Sequence, residues 1–253
     1  YQEKIKSTNI YETIDNLKKS SKWTYNVAWI DTSAKDENIG RSVLLRAEHY
    51  KENNIKEINT NFLNNKRINF KYTFPSWLIN SFVINVLNNI YFLISSNKKN
   101  LININEYFYQ LDKVHNINFI YGKKGFVSYQ FVIPFKNSVK NILKILNLLR
   151  KKKLYSFVSV IKILDKNDGY LSFGIKGYTL VFDFPISKNI YKILDELDDI
   201  IIKSNGNIYL CKDSRLSKKR FVKLKSFFNN NKFIKFRKSS KKFSSKQSER
   251  LGI

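Results

Sequence analysis

The sequence predicts an α+β fold in which helices cover one face of an antiparallel sheet. Segments rich in β-branched and aromatic residues alternate along the chain with segments whose apolar residues recur at helical spacing. Two of the strand-like segments end at a proline, which cannot continue a sheet ladder. With 253 residues, 43% of them hydrophobic, the chain can bury a substantial core in one or two domains.

The first part of the chain predicts a helix at Ile10–Lys19 and strands at residues 24–32 and 41–47. Residues 77–94 form the most apolar stretch, but asparagine and serine interrupt it too often for a membrane span. Its apolar residues recur at helical spacing, so we expect a half-buried helix. The predicted core face of that helix consists of Leu78, Phe82, Val86, Ile90 and Leu93.

The second half predicts three more strands, at residues 126–133, 155–163 and 178–184. Amphipathic helices are predicted at residues 138–152 and 188–203.

After the second of these helices, Gly206 is the expected C-cap. Residues 207–211 form a short predicted strand, in which Cys211 is expected to be a small buried residue. Ser217 can cap a helix over residues 218–228.

The net charge of +26 suggests a polyanionic partner, such as nucleic acid, an anionic lipid surface or a phosphorylated substrate. Asn, Ile, Lys, Phe and Tyr dominate the composition, as in proteins of AT-rich genomes, and the lysines are spread along the whole chain. We therefore attribute most of the charge to compositional drift and expect no nucleic-acid partner. A basic nucleic-acid-binding or ribosomal protein stays as the alternative from another class.

The single cysteine excludes an internal disulfide, and no cluster of cysteine and histidine predicts a metal site. The sequence has no methionine and opens inside what reads as folded sequence, so a fragment or a split gene product is expected. No signal peptide is visible in the chain as given.

Local patterns alone point to little chemistry, since no Walker loop, GxGxxG, HExxH or GxSxG is present. The run KDSR at residues 212–215 either aims a lysine and an arginine into a cleft or forms a solvated turn. Gln130, within an apolar strand, is either satisfied in the core or contacts a ligand. Lys162, also within a strand, snorkels, pairs with an acid or contacts an anion.

Several short segments, found in one order from about Ile10 to the C-terminus, resemble a known family. They include YNVAWID, YGKKGF, YQFVIP and YLCKDSR. Together they resemble the decaprenylphosphoryl-β-D-ribose 2-oxidases, flavoenzymes of the vanillyl-alcohol-oxidase type. The matching segments are residues 25–31, 40–46, 108–112, 121–126, 129–134, 183–186, 209–215 and 249–253.

In that family a split FAD-binding domain uses the N-terminal half of the chain and its last segment, while the sheet of a substrate domain covers the flavin ring. The resemblance implies that residues 1–206 form the substrate-binding (cap) domain. Residues 207–253 would then be the C-terminal strand–helix piece of the FAD-binding domain. The half that wraps the FAD pyrophosphate would be absent from this chain.

The resemblance also implies roles for individual residues. Tyr209 and Lys212 match positions beside the flavin, where a fixed cation stabilises the charge of the reduced ring. Gln130 matches a glutamine of the sugar pocket and, with Lys212, is expected to be catalytic. Lys162 matches a lysine that meets the sugar or its phosphate. The other expected substrate-binding residues are Trp29, Tyr109, Val158, Val160, Thr179 and Val181.

Three positions depart from the family pattern. Val181 stands where a cysteine is frequent, Thr179 where an asparagine is frequent, and Ser128 replaces the first glutamine of a pair. Hydride transfer chemically requires neither the thiol nor the first glutamine. The departures therefore bear on substrate identity more than on reaction type.

The implied activity is FAD-dependent oxidation of a secondary sugar hydroxyl, at C2 of a polyprenylphosphoryl ribofuranose, to a ketone during synthesis of cell-envelope arabinose and glycan precursors. The lipid-linked phospho-sugar would come from an anionic membrane surface. A short-chain NAD(P)H-dependent reductase would be the epimerisation partner, in the cytoplasm or at the membrane of a bacterium. The nearest enzymatic alternative is an aldonolactone or alditol oxidase acting on a soluble sugar.

Overall fold

A computed structural model gives the fold and describes residues 1–50, 68–224, 231–239 and 243–253. An eight-stranded antiparallel sheet with helices confirms the predicted α+β class. The strands are β1 (Gln2–Ser7), β2 (Tyr25–Ile30), β3 (Ser42–Ala47), β4 (Ile68–Asn69), β5 (Lys98–Asn100), β6 (Val114–His115), β7 (Phe126–Pro134), β8 (Ser159–Leu164), β9 (Gly177–Pro185) and β10 (Asn207–Ile208). Their order in the main sheet is β10-β7-β9-β8-β2-β3-β1-β5, and β4 and β6 form a separate parallel pair.

Three of the helices cover one face of the main sheet and bury its apolar side chains. The helices of the described residues are α1 (Ile10–Lys19), α2 (Ser81–Ile94), α3 (Ile104–Phe108), α4 (Ser138–Lys151), α5 (Ile190–Lys203), α6 (Lys218–Phe221), α7 (Asn231–Ser239) and α8 (Lys246–Leu251). The covering helices are α1, α4 and α5, and their buried residues join those of the central strands in one core. Phe131 and Phe182, from neighbouring strands, are fully buried at its centre.

The apolar residues of helix α5 recur at helical spacing and determine which face of the helix packs on the sheet. Its predicted core residues are all buried, and each such aliphatic side chain contributes about 1.5–3 kcal/mol relative to exposure. The predicted cap at Gly206 is wrong, because Ser204 is the C-cap and Asn205 adopts the left-handed conformation. Gly206 is needed for a different reason: a Cβ there would collide with the carbonyl oxygen of Val132. The core residues of α5 are Ile190, Ile193, Leu194, Leu197 and Ile201.

Helix α2 forms as expected, but its predicted core face is wrong. Phe82 and Leu93 are each 73% exposed, whereas Ile84 and Asn88 are buried. The reason is polar anchoring: the Asn88 amide donates to Asp31 Oδ1 (2.9 Å) and to the Ser156 carbonyl (3.3 Å). Within the described ranges, every helix is too short or too polar to span a bilayer.

The C-terminal elements are shorter than predicted. β10 ends at Ile208, and a 3-10 turn at Leu210–Lys212 follows it, so Cys211 is exposed and its predicted burial in a strand is wrong. Ser217 does cap α6, by accepting a hydrogen bond from Arg220 N. Residues 225–228 of the predicted helix lie outside the described residues.

Candidate active site

The face of the main sheet opposite α4 and α5 collects most of the residues predicted for the site. Side chains alternate between the two faces of a strand. Those that join the hydrophobic core point towards the helices, so the residues between them point to the opposite face. The opposite face carries polar and half-buried side chains on its central strands. We call this surface the open face, and it consists of Ser128, Gln130, Val132, Val158, Val160, Lys162, Thr179, Val181, Asp183 and Trp29.

One row of predicted residues crosses four strands of the open face. Gln130 pairs with Val181, Val181 with Val160, and Val160 with Trp29. Directly opposed residues of an antiparallel sheet have Cβ atoms about 4.5–5.5 Å apart. Each side chain of the row therefore lies next to the following one on the neighbouring strand. All four are half-buried, which leaves each of them accessible to a ligand.

Gln130 is held by the neighbouring row, in which Val132, Thr179 and Lys162 are paired. The Gln130 amide donates to Thr179 Oγ1 at 3.3 Å, and this hydroxyl donates to the Phe131 carbonyl at 3.0 Å. Thr179 is buried while Lys162 is exposed. The amide of Gln130 therefore lies at the surface of the open face with a fixed orientation.

A third row lies on the other side of Gln130 and contains Asp183. Ser128 and Asp183 are cross-strand partners, and Asp183 N donates to the Val158 carbonyl (3.2 Å) and to Ser156 Oγ (3.0 Å). Burial raises the pKa of Asp183, and a hydrogen bond from Ser128 and the charge of Lys212 lower it. Sequence reasoning did not select Asp183 as a site residue, although its spacing of two from Val181 places it on the same face.

Tyr209 and Lys212 reach this face from the edge strand. β10 pairs with β7, and Tyr209 N continues the ladder by donating to the Gln130 carbonyl at 2.9 Å. The ring of Tyr209 packs on Phe173, with centroids 4.9 Å apart. The 3-10 turn then places Lys212 where its charge lowers the pKa of Asp183.

The rest of the KDSR run is anchored away from the open face. Arg215 donates to both carboxylate oxygens of Asp198 (2.7 and 2.8 Å) and also pairs with Asp195. Tyr129 OH, in the core, donates to Asp198 Oδ1 at 2.6 Å. Burial raises the pKa of Asp198, while the bonds from Arg215 and Tyr129 lower it. The possibility that Arg215 aims into a cleft is thus wrong, because a buried carboxylate on α5 holds it.

Helix α8 braces the same turn from its other side. Gln247 Nε2 donates to the Leu210 carbonyl (2.7 Å) and to the Asp213 carbonyl (3.3 Å). Arg250 forms an ion pair with Asp213 at 2.9 Å. Asp213 Oδ1 in turn accepts the backbone N–H groups of Arg215 and Leu216. Lys212 therefore stands on a turn fixed by α5 and α8.

Trp29 forms one wall of the row, whereas Tyr109 is placed elsewhere. Trp29 Nε1 donates to the Phe157 carbonyl at 2.9 Å, and its ring meets Tyr91 of α2 edge-on at 4.7 Å. Tyr109 is 54% exposed and contacts Phe108. Phe108 packs on Tyr25, which lies about 13 Å along β2 from Trp29. The structure does not bring Tyr109 to the row, and its role stays a prediction.

A cavity of about 310 Å³ lies at the Tyr25 end of the same strand. Tyr25 and Trp29 are four residues apart on β2, so their side chains lie on the same face of the sheet, away from the helix-side core. The cavity is mostly apolar and aromatic. Its lining includes Tyr25, Leu101, Ile104, Tyr107 and Phe108.

Comparison with known proteins gives a distant relative. No family model matches the chain. The decaprenylphosphoryl-beta-D-ribose oxidase of Mycolicibacterium smegmatis is 28% identical over 205 residues, which are 79% of this chain and 44% of that oxidase. The chain is distantly related to this oxidase. It spans less than half of the oxidase's length, which leaves the activity of a whole protein to be proposed.

A second curated protein is also similar. A probable F-box protein of Arabidopsis thaliana is 30% identical over 149 residues, which are 58% of this chain and 30% of that protein. This similarity covers too little of either chain to support an assignment.

The open face fits the ring end of FAD, the cofactor that the resemblance implies. Lys212 provides a cation beside a row of half-buried side chains, and Asp183 Oδ1 is buried without a hydrogen-bond partner among the described residues. A cation suits the N1 and C2 carbonyl edge of a flavin, which gains negative charge on reduction. Lys212 and Tyr209 would hold that edge.

Proposed function

We propose that this chain supplies the substrate side of an FAD-linked oxidoreductase that oxidises a secondary hydroxyl of a sugar to a ketone. The observation that carries the proposal is the row from Gln130 to Trp29, with Lys212 and Asp183 beside it. The distant relation to an oxidase that acts on a lipid-linked ribose agrees with it. The parts of the FAD site that bind pyrophosphate and adenosine would come from sequence outside this chain.

The chain's own residues have distinct tasks in this proposal. FAD, when bound, accepts the hydride. Gln130 orients a sugar hydroxyl, because Thr179 fixes its amide at the surface of the open face. Lys212 offsets the negative charge that reduction places on the ring, and the valines exclude water from the reacting atoms. Lys162, exposed in the next row, meets the phosphate.

For the substrate, we propose a polyprenylphosphoryl ribofuranose oxidised at C2. The apolar cavity at Tyr25 supports a lipid-linked sugar over a soluble one, since a free aldonolactone or alditol would leave it empty. An anionic membrane surface would deliver the lipid, and each lysine near it contributes about 1 kcal/mol. We further propose a short-chain reductase as partner and a cytoplasmic or membrane-associated location in a bacterium.

Anaerobic single-turnover reduction tests the proposal. The chain is co-expressed with a FAD-binding half to give the holoenzyme, which is mixed with polyprenylphosphoryl ribose, an aldonolactone or an alditol. We expect the lipid-linked sugar to bleach the flavin absorbance fastest. Faster bleaching by a soluble sugar would support the alditol-type alternative. No bleaching by any sugar, together with strongly salt-dependent RNA binding, would contradict the oxidase and favour the nucleic-acid alternative.

A further inference from the structure

We propose that Asp183 is the catalytic base that accepts the proton of the sugar hydroxyl. This assignment rests on the proposed function, which requires such a base and otherwise leaves it unnamed.

The position of Asp183 on the open face suits a base for the sugar hydroxyl. Asp183 follows Val181 by two residues on β9, which places its side chain on the open face about 7 Å from the Gln130–Val181 pair. Ser128 flanks it on β7, Val158 flanks it before β8, and Lys212 approaches from the 3-10 turn. A sugar ring spans such a distance. Because the Gln130 and Asp183 side chains both extend from the open face, a ring that Gln130 holds by one hydroxyl group can present another hydroxyl group to this carboxylate.

The carboxylate of Asp183 also has one oxygen in an unusual environment. Asp183 Oδ1 is buried and lacks a hydrogen-bond partner in the described ranges. Two other buried carboxylates among the described residues have several donors, and Arg41, Ser33 and Asn88 bind Asp31. Arg215 and Tyr129 compensate Asp198 in the same way. A buried acceptor without a donor costs stability, and a substrate hydroxyl would supply the missing donor.

Opposing effects of burial and of neighbouring groups act on the Asp183 carboxyl. Burial raises the pKa of Asp183, which makes its carboxylate a stronger base than an exposed one. Lys212 and the Ser128 hydroxyl lower the pKa and so keep the ionised form accessible. Tyr121 also faces Asp183, and burial and then the Asp183 charge raise the pKa of its phenol, which keeps it neutral.

The step balances in protons and electrons. The hydroxyl O–H bond breaks, and its proton passes to the Asp183 carboxylate. The C2–H bond breaks as a hydride, whose two electrons reduce the flavin, and the C–O bond of the sugar becomes a carbonyl. Lys212 offsets the charge gained by the ring.

A titration of the full chain without flavin tests the environment of Asp183 directly. Infrared difference spectra between wild type and Asp183→Asn should show a carboxyl that titrates above the ordinary aspartate value of 3.8. In Lys212→Met the same band should titrate higher still, because the cation that lowers the pKa is gone. An Asp183 band at or below the ordinary value would overturn the proposal.

Stability provides a second readout on the same chain. Because the folded-state pKa is raised, protonated Asp183 favours the fold. This contribution to stability is complete below the pKa that the Asp183 carboxyl has in the unfolded chain. It is lost as the pH rises through the pKa of the same carboxyl in the folded chain. Asp183→Asn should therefore unfold at a higher urea concentration than wild type at pH 7, with a smaller difference at pH 3. A lower midpoint at pH 7 would indicate a structural role instead.

The closing experiment uses single-turnover reduction of the holoenzyme. Asp183→Asn should reduce flavin about 100-fold or more slowly, the usual effect of removing a base, and Asp183→Glu should recover part of the rate. The control Asp168→Asn, whose side chain is 84% exposed, should match wild type. An active wild type with an equally active Asp183→Asn overturns the base assignment alone. An inactive wild type overturns the proposed function and the base with it.

Discussion

Neighbouring residues of the run KDSR at 212–215 have different roles. Lys212 faces the site, Asp213 closes the turn, and Arg215 is buried against Asp198 on α5. The sequence shows this run as one polar cluster, because the partners that separate its members lie far along the chain. Asp198 is 17 residues from Arg215, and Tyr129 is 69 residues from Asp198. Local sequence could therefore identify the cluster but not the direction of each side chain.

We predict that Arg215→Met destabilises the chain by about 3–5 kcal/mol, because it removes the cation that donates to both oxygens of the buried Asp198 carboxylate. Urea unfolding monitored by circular dichroism measures the loss. Arg150→Met is the matched control, since among the described residues the half-buried Arg150 side chain hydrogen-bonds to the neutral Asn147 one turn away, and it should change stability by less than about 0.5 kcal/mol. Equal effects of the two substitutions would contradict the anchoring of the turn by Arg215.

At the scale of elements, periodicity predicted the buried face of α5 correctly and that of α2 wrongly. Both helices have apolar stripes, yet α5 meets the sheet with its stripe, whereas α2 is held by Asn88 through Asp31. That partner lies 57 residues earlier, so the hydropathy of the helix could not reveal which face would be buried. Six of the eight strands of the main sheet were predicted, because alternation and proline stops are local signals, whereas β1 and β5, at one end of the sheet, were not.

The exposed stripe of α2 leads to a direct prediction. The single substitutions Phe82→Ala and Leu93→Ala should each change the free energy of unfolding by less than about 0.5 kcal/mol, since both side chains are largely in water. Ile84→Ala, on the buried face of the same helix, should cost about 2 kcal/mol or more. Thermal or urea unfolding of the three variants compares the two faces, and a larger loss from the exposed pair would contradict the orientation of α2.

For the whole molecule, one sheet serves two purposes. Its helix side buries the aromatic core, and its open face gathers Gln130, Val160, Val181 and Trp29 from four strands. The proposed domain boundary at residue 206 stays a prediction. β10 follows this boundary in the chain and pairs with β7, which precedes it, in the same sheet.

The chain is expected to be colourless when purified alone, because the proposal assigns the pyrophosphate and adenosine contacts of FAD to sequence outside it. Absorbance and fluorescence of flavin released by heat give the stoichiometry. Co-expression with a FAD-binding half is the control and should yield yellow protein. A stoichiometric flavin load on the isolated chain would show that these contacts lie within it.

Substitution of Lys212 tests most directly whether the open face forms part of an oxidase active site. Flavin reduction by polyprenylphosphoryl ribose is measured in single turnovers for the wild-type holoenzyme, for Lys212→Met and for Lys176→Met, an exposed lysine in the loop before β9. Removing a cation that stabilises charge developing in the transition state should slow reduction by about 100-fold or more, while Lys176→Met should match wild type. Equal rates for all three proteins would contradict the assignment of the open face to catalysis.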